Sequence, residues 1–355
     1  MLHHMCLHRW LRNMSYGTND NGKERYNLMR KTLIIIIGVI IIMLTTICNI
    51  GLLEKWNRKN TIQLLIVGDS IGEGAGASDP AFKWYKYLIP YVEEQYGKKL
   101  EITNVSMGGN TSFAGYTRVM ELRNNNNYDV VIVCYGQNDE EQNFSFYYEQ
   151  MLQAIINKWP SCQLITILES SQREYTPKIC SIQQLGEKYQ AYVVDMVAVF
   201  NNDKINYEEL CDDGTHPNDK GQEAYFTEIG KVFDEIYQSK DLKSTKHIED
   251  TSLLPQMFKV YSKDEFSREE NLRLDIPINR DVKRVGIDYD RIPGEHMLTV
   301  YFDEKATWEY SYRWEQSFEQ RHIEEIYSGD EFINQLTVIF SSEEQMEGFH
   351  GIVVE

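Results

Sequence analysis

The sequence lacks the cysteine spacing of a zinc or redox site and the excess of basic residues that is typical of nucleic-acid-binding proteins. Its six cysteines form no CxxC pair, which argues against a cysteine-based zinc or redox site. Acidic residues outnumber basic ones, the formal net charge is −18, and an acidic surface repels phosphate backbones. We therefore expect no nucleic-acid partner. Cys180 and Cys211 could pair in an oxidising compartment, a point that the sequence leaves open.

Charge is also missing from residues 32–53, which contain no Asp, Glu, Lys or Arg. An apolar stretch of about 20 residues is long enough to span the hydrocarbon core of a bilayer. Basic residues crowd its N-terminal side, and the positive-inside bias then places the N-terminus in the cytoplasm. We predict a cytoplasmic segment over residues 1–31, a transmembrane signal anchor over 32–53 and a main body outside the cell. The alternative is a cleaved signal peptide, which would leave a secreted protein.

Short apolar runs alternate with amphipathic stretches between residues 60 and 238. Strands are predicted at Ile62–Val67, Leu100–Val105, Asp129–Cys134, Gln163–Leu168 and Ala191–Met196. Helices are predicted at Pro80–Tyr96, Ala114–Leu122, Phe146–Trp159, Pro177–Tyr189 and Lys220–Tyr237. This alternation indicates βαβ units and a parallel sheet. Because ligands of such sheets bind beyond the carboxyl ends of the strands, we expect the functional residues there.

The pattern changes after residues 239–256, which we interpret as a linker. From 257 to 355, apolar side chains recur at every second position, and we predict a β-sandwich-like accessory domain. Trp308, Tyr310, Tyr312 and Trp314 would share one face of a strand. We favour the interpretation that they form the hydrophobic face of the sandwich, since aromatic side chains bury large areas. Contact with carbohydrate by this domain is the alternative.

Three short segments stand at the places that the predicted sheet marks as functional. Gly68-Asp69-Ser70 follows the first strand, where glycine permits a sharp turn and the serine hydroxyl projects into the cleft. Asn138 follows the third strand, and its amide can donate to a developing oxyanion. Asp213 and His216 share the loop before the last helix, where the carboxylate can orient the imidazole. Each segment alone is typical of a turn, but their combined placement indicates a catalytic site.

These segments resemble the sequence blocks of the SGNH, or GDSL, family of esterases and lipases. Its first block is matched by Gly68-Asp69-Ser70, its third by Gly136–Asp139 and its fifth by Asp213–His216. The oxyanion-hole glycine of its second block is best matched by Gly109, with Gly108 as the alternative.

The resemblance implies a three-layer α/β/α, flavodoxin-like parallel sheet with serine esterase activity. It implies that Ser70 is the nucleophile, that His216 is the general base and that Asp213 orients His216. The oxyanion hole implied by the resemblance consists of Ser70, Gly109 and Asn138. The scheme needs no metal and no organic cofactor.

The resemblance covers roughly residues 62–237 and leaves the substrate open. The loop over residues 72–78 is built largely of small residues and favours a shallow, open cleft. We expect hydrolysis of small acyl esters, such as acetyl esters, on cell-surface or environmental polysaccharide. The alternatives are an O-acyltransferase that uses the same triad, a lipase or lysophospholipase, and a non-catalytic carbohydrate-binding surface protein.

Overall fold

The computed structural model describes residues 60–355 except 123–126, 203–205, 239–257 and 270–271, together with several helical positions between 29 and 43. Met1–Asn60 and Thr61–Glu355 are separate compact units. Among the described residues, no helix has both the length and the apolar character that a membrane span requires. Most of the predicted signal anchor over 32–53, the cytoplasmic segment over 1–31 and the linker over 239–256 lie outside the described residues. The anchor and the linker stay predictions.

A five-stranded parallel sheet forms the first half of the Thr61–Glu355 unit, with the strand order β2-β1-β3-β4-β5. The prediction of a parallel α/β sheet is confirmed. The strands are β1 Thr61–Gly68, β2 Lys99–Asn104, β3 Val130–Cys134, β4 Gln163–Leu168 and β5 Tyr192–Asp195. The strand bounds differ from the predicted ones by at most one residue, because each strand is an apolar run that ends where polar or glycine residues begin.

Both faces of this sheet are buried, so that the strand residues need to be apolar throughout. Leu64 and Ile66 contact one core cluster and Leu65 and Val67 contact the other. Helices cover the two faces and complete the layers. The described α-helices are α1 Ser70–Glu73, α2 Trp84–Tyr96, α3 Ser112–Glu121, α4 Glu141–Lys158, α5 Pro177–Lys188, α6 Met196–Phe200, α7 Asp219–Gln238 and α8 Glu343–Glu347.

The second half is an antiparallel β domain, as its two-residue periodicity predicts. Its strands are β6 Lys259–Ser262, β7 Ser267–Glu269, β8 Arg273–Arg291, β9 Gly294–Phe302, β10 Lys305–Trp314, β11 Gln320–Phe340 and β12 Phe349–Val354. Hydrogen bonds join them into one seven-stranded sheet, whereas a sandwich has two. The pairing of β8 with β11 shifts register three times, and such bulges bend long strands. One core cluster collects side chains from both halves of β8 and β11.

The aromatic row of β10 packs onto the core of this domain. The rings of Trp308 and Tyr310 stack at 5.4 Å, and those of Tyr310 and Tyr312 at 5.6 Å. Tyr312 is buried and the other members of the row are partly buried against the same core. The row therefore covers the hydrophobic interior, as the structural interpretation expects.

A small apolar cluster joins the β domain to the α/β sheet. Phe113 on α3 and Tyr147 on α4 pack with Ile323 on β11. The rings of Phe113 and Tyr147 meet edge to face, with their centres 5.1 Å apart. Gly286 on β8 lies against Phe113, since a Cβ at this glycine would come within 2.8 Å of the ring. The two halves are therefore in direct, closely packed contact.

We predict that Gly115→Ala destabilises the protein although alanine is the better helix former. A Cβ at Gly115 would lie 2.5 Å from Tyr135 and 2.7 Å from the Met151 sulfur, and overpacking of this kind costs about 1–3 kcal/mol. The matched control is Gly230→Ala in α7, where the nearest atom is 3.7 Å away and helix propensity alone predicts a gain of up to about 1 kcal/mol. Urea unfolding measures both, and equal effects of the two substitutions would contradict this account of the packing.

Candidate active site

The loop after β1 presents Ser70 at the first position of the short helix α1. The Asp69 side chain caps this helix by accepting a hydrogen bond from the backbone N–H of Ile71 at 2.9 Å. Gly68 is needed at the bend, because a Cβ there would lie 2.7 Å from the carbonyl oxygen of Cys134. The turn and the cap together orient the Ser70 side chain at the carboxyl end of β1.

The structure brings Ser70, His216 and Asp213 together. Nε2 of His216 lies 3.0 Å from Oγ of Ser70, and Nδ1 of His216 lies 2.6 Å from Oδ2 of Asp213. Because an ionised carboxylate can only accept, the second contact requires a proton on Nδ1. Nε2 is then free to accept the hydroxyl proton of Ser70. This is the arrangement that activates a serine nucleophile.

Asp213 is held as a carboxylate. Burial opposes the ionisation of Asp213. Hydrogen bonds from the backbone N–H and the ring of His216, and from the backbone N–H of Thr215, outweigh burial and lower the pKa of Asp213 to about 2. The two backbone donors reach Oδ1 at 2.7 and 2.8 Å, which leaves Oδ2 for the imidazole. One side chain therefore both shapes the loop and orients the ring.

Two contacts lock the His216 loop against the Ser70 loop. A Cβ at Gly76 would lie 2.4 Å from the Pro217 carbonyl oxygen and 2.9 Å from Cβ of His216, so the close approach requires glycine. The fully buried Gln222 donates from Nε2 to the carbonyl oxygens of Ala75 and Pro217, each at 2.9 Å. These bonds set the separation of the two loops.

The loop after β2, predicted from the sequence to be the oxyanion loop, contains Gly108 and Gly109. Gly109 has a φ of +70°, a left-handed conformation that glycine adopts without strain. The N–H of Gly108 donates to Oε2 of Glu73 at 3.2 Å. Among the described residues, the N–H groups of Ser70 and Gly109 have no acceptor. The geometry thus favours Gly109 over Gly108 as the oxyanion donor.

Asn138 lies beside this loop, in the turn after β3. Its Nδ2 donates to the carbonyl oxygen of Asn110 at 3.0 Å and makes a long contact of 3.5 Å with Oδ2 of Asp69. An amide nitrogen carries two hydrogens, so the weakly held one is available to a ligand near Ser70. Each residue assigned from the sequence therefore lies at one edge of the sheet.

The β domain supplies a residue at this edge that sequence reasoning missed. A Cβ at Gly108 would lie 2.5 Å from Nε2 of Gln320 and 3.6 Å from Cβ of Ser70. The Gln320 amide therefore lies close to the Ser70 side chain. Nε2 of His322 lies 3.3 Å from Oε1 of Gln320. Since an amide oxygen only accepts, this contact turns the NH₂ of Gln320 away from His322. No local sequence signal marks Gln320, which is 250 residues from Ser70 along the chain.

His322 itself is a neutral, structural side chain. Burial, together with the nearby positive charge of Arg291, lowers the pKa of His322 to about 3. It is 2% exposed and borders Gly109, whose Cβ would lie 3.0 Å from its ring. We assign it to the support of Gln320 and the oxyanion loop.

A pair of buried acids lies beneath the nucleophile. Burial is the main cause that raises the pKa of Asp69, to about 7, and the negative charge of Asp139 adds to it. Burial also raises the pKa of Glu169 well above its ordinary value, and the charge of Asp69 adds to that effect. Two carboxyls that interact this closely keep a proton between them at neutral pH.

Among the described residues, no group of three or more His, Cys, Asp or Glu side chains is arranged to hold a metal ion.

The chain is similar to known proteins in sequence and in fold. Residues 66–224 match the family profile described as GDSL-like Lipase/Acylhydrolase family. The crystal structure of a two-domain esterase (CEX) active on acetylated mannans is similar over 85% of this chain and 93% of that chain, at 13% identity and a TM-score of 0.64. The acetylxylan esterase Axe2 from Geobacillus stearothermophilus is similar over 49% of this chain and 93% of that chain, at 19% identity and a TM-score of 0.38. A search of curated proteins finds no significant match.

We predict that the buried acid pair makes the protein less stable as the pH rises from about 4 to 8. A carboxyl whose pKa is raised on folding binds more protons in the folded state, so the free energy of unfolding falls as the pH passes through this range. Each unit of raised pKa corresponds to about 1.4 kcal/mol. Glu169→Gln removes a carboxyl whose own pKa is raised well above its ordinary value on folding and should flatten this dependence by at least ~1 kcal/mol.

The measurement is urea unfolding of Glu169→Gln and of wild type at pH 5 and pH 8. The control, Glu94→Gln, removes an exposed acid and should keep the wild-type profile. The interpretation is wrong if Glu169→Gln also keeps that profile.

Proposed function

We propose that this chain, an ester hydrolase whose residues 66–224 match the GDSL-like lipase/acylhydrolase family, removes acetyl groups from carbohydrate through Ser70, His216 and Asp213. The observation that carries the assignment of residues is the pair of contacts from the His216 ring, 3.0 Å to the Ser70 hydroxyl and 2.6 Å to the Asp213 carboxylate.

In the acylation step, Oγ of Ser70 attacks the acetyl carbonyl carbon while Nε2 of His216 takes the hydroxyl proton. The carboxylate of Asp213 stabilises the imidazolium that forms. When the tetrahedral intermediate collapses, the bond from carbon to the sugar oxygen breaks and His216 delivers the proton to that oxygen. The deacetylated sugar leaves and an acetyl group remains on Ser70.

In the deacylation step, His216 takes a proton from water, and the hydroxyl oxygen attacks the acetyl carbon. Collapse of the second tetrahedral intermediate returns the proton to Oγ of Ser70 and releases acetate. In both steps the negative charge develops on the carbonyl oxygen. The N–H groups of Ser70 and Gly109 and the amide of Asn138 would hold it, and one such donor is worth about 3–4 kcal/mol.

The acetyl group and the sugar are the finer part of this proposal. The two-domain structure similar to both halves of the chain is that of an esterase active on acetylated mannans. The loop after the nucleophile is built mostly of small residues between Gly72 and Ser78, so it supplies no large apolar wall for a long acyl chain. Both observations favour a small acyl group on a polar alcohol.

The turn between β10 and β11 is the surface that we assign to the sugar. Gln320 presents its amide beside Ser70, where it can bond a hydroxyl of the alcohol. Phe318 is 54% exposed, and the carbonyl of this residue accepts a hydrogen bond from Nε1 of Trp314 at 2.6 Å. An amide next to aromatic rings suits a sugar, which has hydroxyls at its edge and C–H groups on its faces. Carbohydrate contact by the β domain is thus proposed for this turn and its Trp314, while Trp308, Tyr310 and Tyr312 of the β10 row pack on the core.

We predict that Ser70→Ala abolishes hydrolysis of p-nitrophenyl acetate, with a loss of at least about 1000-fold in kcat, because no nucleophile remains. Wild type should prefer acetyl over butyryl and longer esters, and should release acetate from acetylated mannan, xylan or peptidoglycan. Ser181→Ala removes a surface hydroxyl that bonds only its own helix and serves as control. Retained activity in Ser70→Ala would refute the assigned nucleophile.

The same assay on washed, intact cells addresses location. The apolar stretch over 32–53 and its basic N-terminal flank support a membrane-anchored enzyme with its catalytic half outside the cell. Intact cells should then hydrolyse an acetylated polysaccharide, which does not cross the membrane. Activity that appears only after lysis would contradict this location.

We predict that Gln320→Ala raises the KM for an acetylated mannan oligosaccharide about 3- to 10-fold, the value of one lost neutral hydrogen bond. It should leave p-nitrophenyl acetate hydrolysis nearly unchanged, since that substrate carries no sugar. Gln335→Ala, on the same strand, should change neither. Equal effects of Gln320→Ala on both substrates would place this residue outside a sugar site.

A further inference from the structure

The side chain of Asn110 bonds directly to the backbone of β11 in the other half of the molecule. Nδ2 donates to the carbonyl oxygen of Arg321 at 2.8 Å, and Oδ1 accepts from the N–H of Ile323 at 2.9 Å. Nδ2 also donates to the carbonyl oxygen of Gly108 at 3.0 Å. One amide therefore links the oxyanion loop to a strand more than 200 residues later.

This link occupies an edge that the β sheet leaves unpaired. The first part of β11, from Gln320 onward, pairs with β8 on one side only, since β9 pairs with Leu336–Phe340 further along. An exposed strand edge carries donors and acceptors that need partners. The Asn110 amide meets one carbonyl and one N–H two residues apart, as a neighbouring strand would.

Asn110 is also next to both oxyanion donors that do not belong to the nucleophile loop. It directly follows Gly109, whose N–H has no acceptor among the described residues, and its carbonyl oxygen accepts the 3.0 Å hydrogen bond from Nδ2 of Asn138. A shift of the Asn110 backbone would therefore displace Gly109 and Asn138 together.

The surroundings make this link rigid. Asn110 is 1% exposed, and hydrogen bonds shielded from water are stronger than exposed ones. The neighbouring contact of Phe113 with Ile323 and with the backbone of Gly286 keeps α3 close to the β domain. The oxyanion loop is thus held between β1 on one side, through the bond from the Met107 N–H to the Gly68 carbonyl oxygen at 2.9 Å, and β11 on the other.

We propose that Asn110 is a positioning residue through which strand β11 of the β domain sets the geometry of the oxyanion hole. The inference rests on the proposed esterase function and adds that the β domain acts on the transition state as well as on the sugar. A small displacement of preorganised donors lowers the rate of the chemical step without changing the binding of the ground state. Asn110 itself does not touch the substrate.

The test is Asn110→Ala, assayed with p-nitrophenyl acetate and with a small alkyl boronic acid. The boronic acid forms a tetrahedral adduct with serine and so reports the oxyanion hole. We expect kcat to fall about 10-fold or more, less than the 100- to 1000-fold loss of a whole donor, with KM within twofold of wild type. The boronic acid affinity should fall by the same factor as kcat. Asn334→Ala, whose amide bonds Asp303 within the β domain, should match wild type.

A second variant disturbs the same link from the opposite side and decides the matter if Asn110→Ala does not fold. Gly286→Ala places a methyl group 2.8 Å from the Phe113 ring and should also lower kcat and the boronic acid affinity. Phe113→Leu in the same chain makes room and should restore both. The inference is overturned if wild type is active and a folded Asn110→Ala or Gly286→Ala keeps its kcat and its affinity. Failure of the proposed esterase function gives a different result, because wild type would then hydrolyse p-nitrophenyl acetate no faster than Ser70→Ala.

Discussion

The position of β1 between β2 and β3 is the constraint on which the site depends. Since the three strands are parallel neighbours, the loops that follow them begin side by side at one edge of the sheet. Those loops contain Ser70, Gly109 and Asn138. The chain leaves β1 in one direction toward β2 and returns on the other side to β3, which opens a crevice at this switch point. His216 enters the crevice from the loop before α7. This helix packs in the same core cluster as Leu64 and Ile66 of β1.

Environment separates carboxyl groups that have the same chemistry into two roles. Asp213 accepts two backbone hydrogen bonds and faces an imidazole, so its pKa is lowered and it stays charged. Asp69 is sealed beneath Ser70 beside another acid, so its pKa is raised. The charged group is the one that faces the imidazole of His216.

The β domain closes the site on the side that the α/β sheet leaves open. The Gln320 amide lies close to Ser70. The Asn110 side chain hydrogen-bonds to the backbone of β11 along the edge that no strand pairs with. Both follow from one placement, in which the first residues of β11 run past the oxyanion loop. An accessory domain attached only by a linker would supply neither contact. In this chain the two halves share an apolar cluster, and the loop after β2 is one of the surfaces that they bury.

The sequence by itself determined the five strands and the five longer helices of the α/β half, the β-strand character of residues 257–355 and the short segments that contain Ser70, Asn138, Asp213 and His216. These are local properties, because the periodicity of apolar residues in a strand or helix, and a turn of glycine and aspartate, depend only on residues that are close together in the sequence. Tertiary structure decided that Gly109 and not Gly108 has the unpaired N–H, since Glu73 lies within reach of only one. It also decided that seven strands form one bent sheet and that Gln320 and Asn110 lie beside the loops of Ser70 and Gly109. Those outcomes depend on which strand edge meets which loop, a contact between residues up to 250 positions apart that no local pattern encodes.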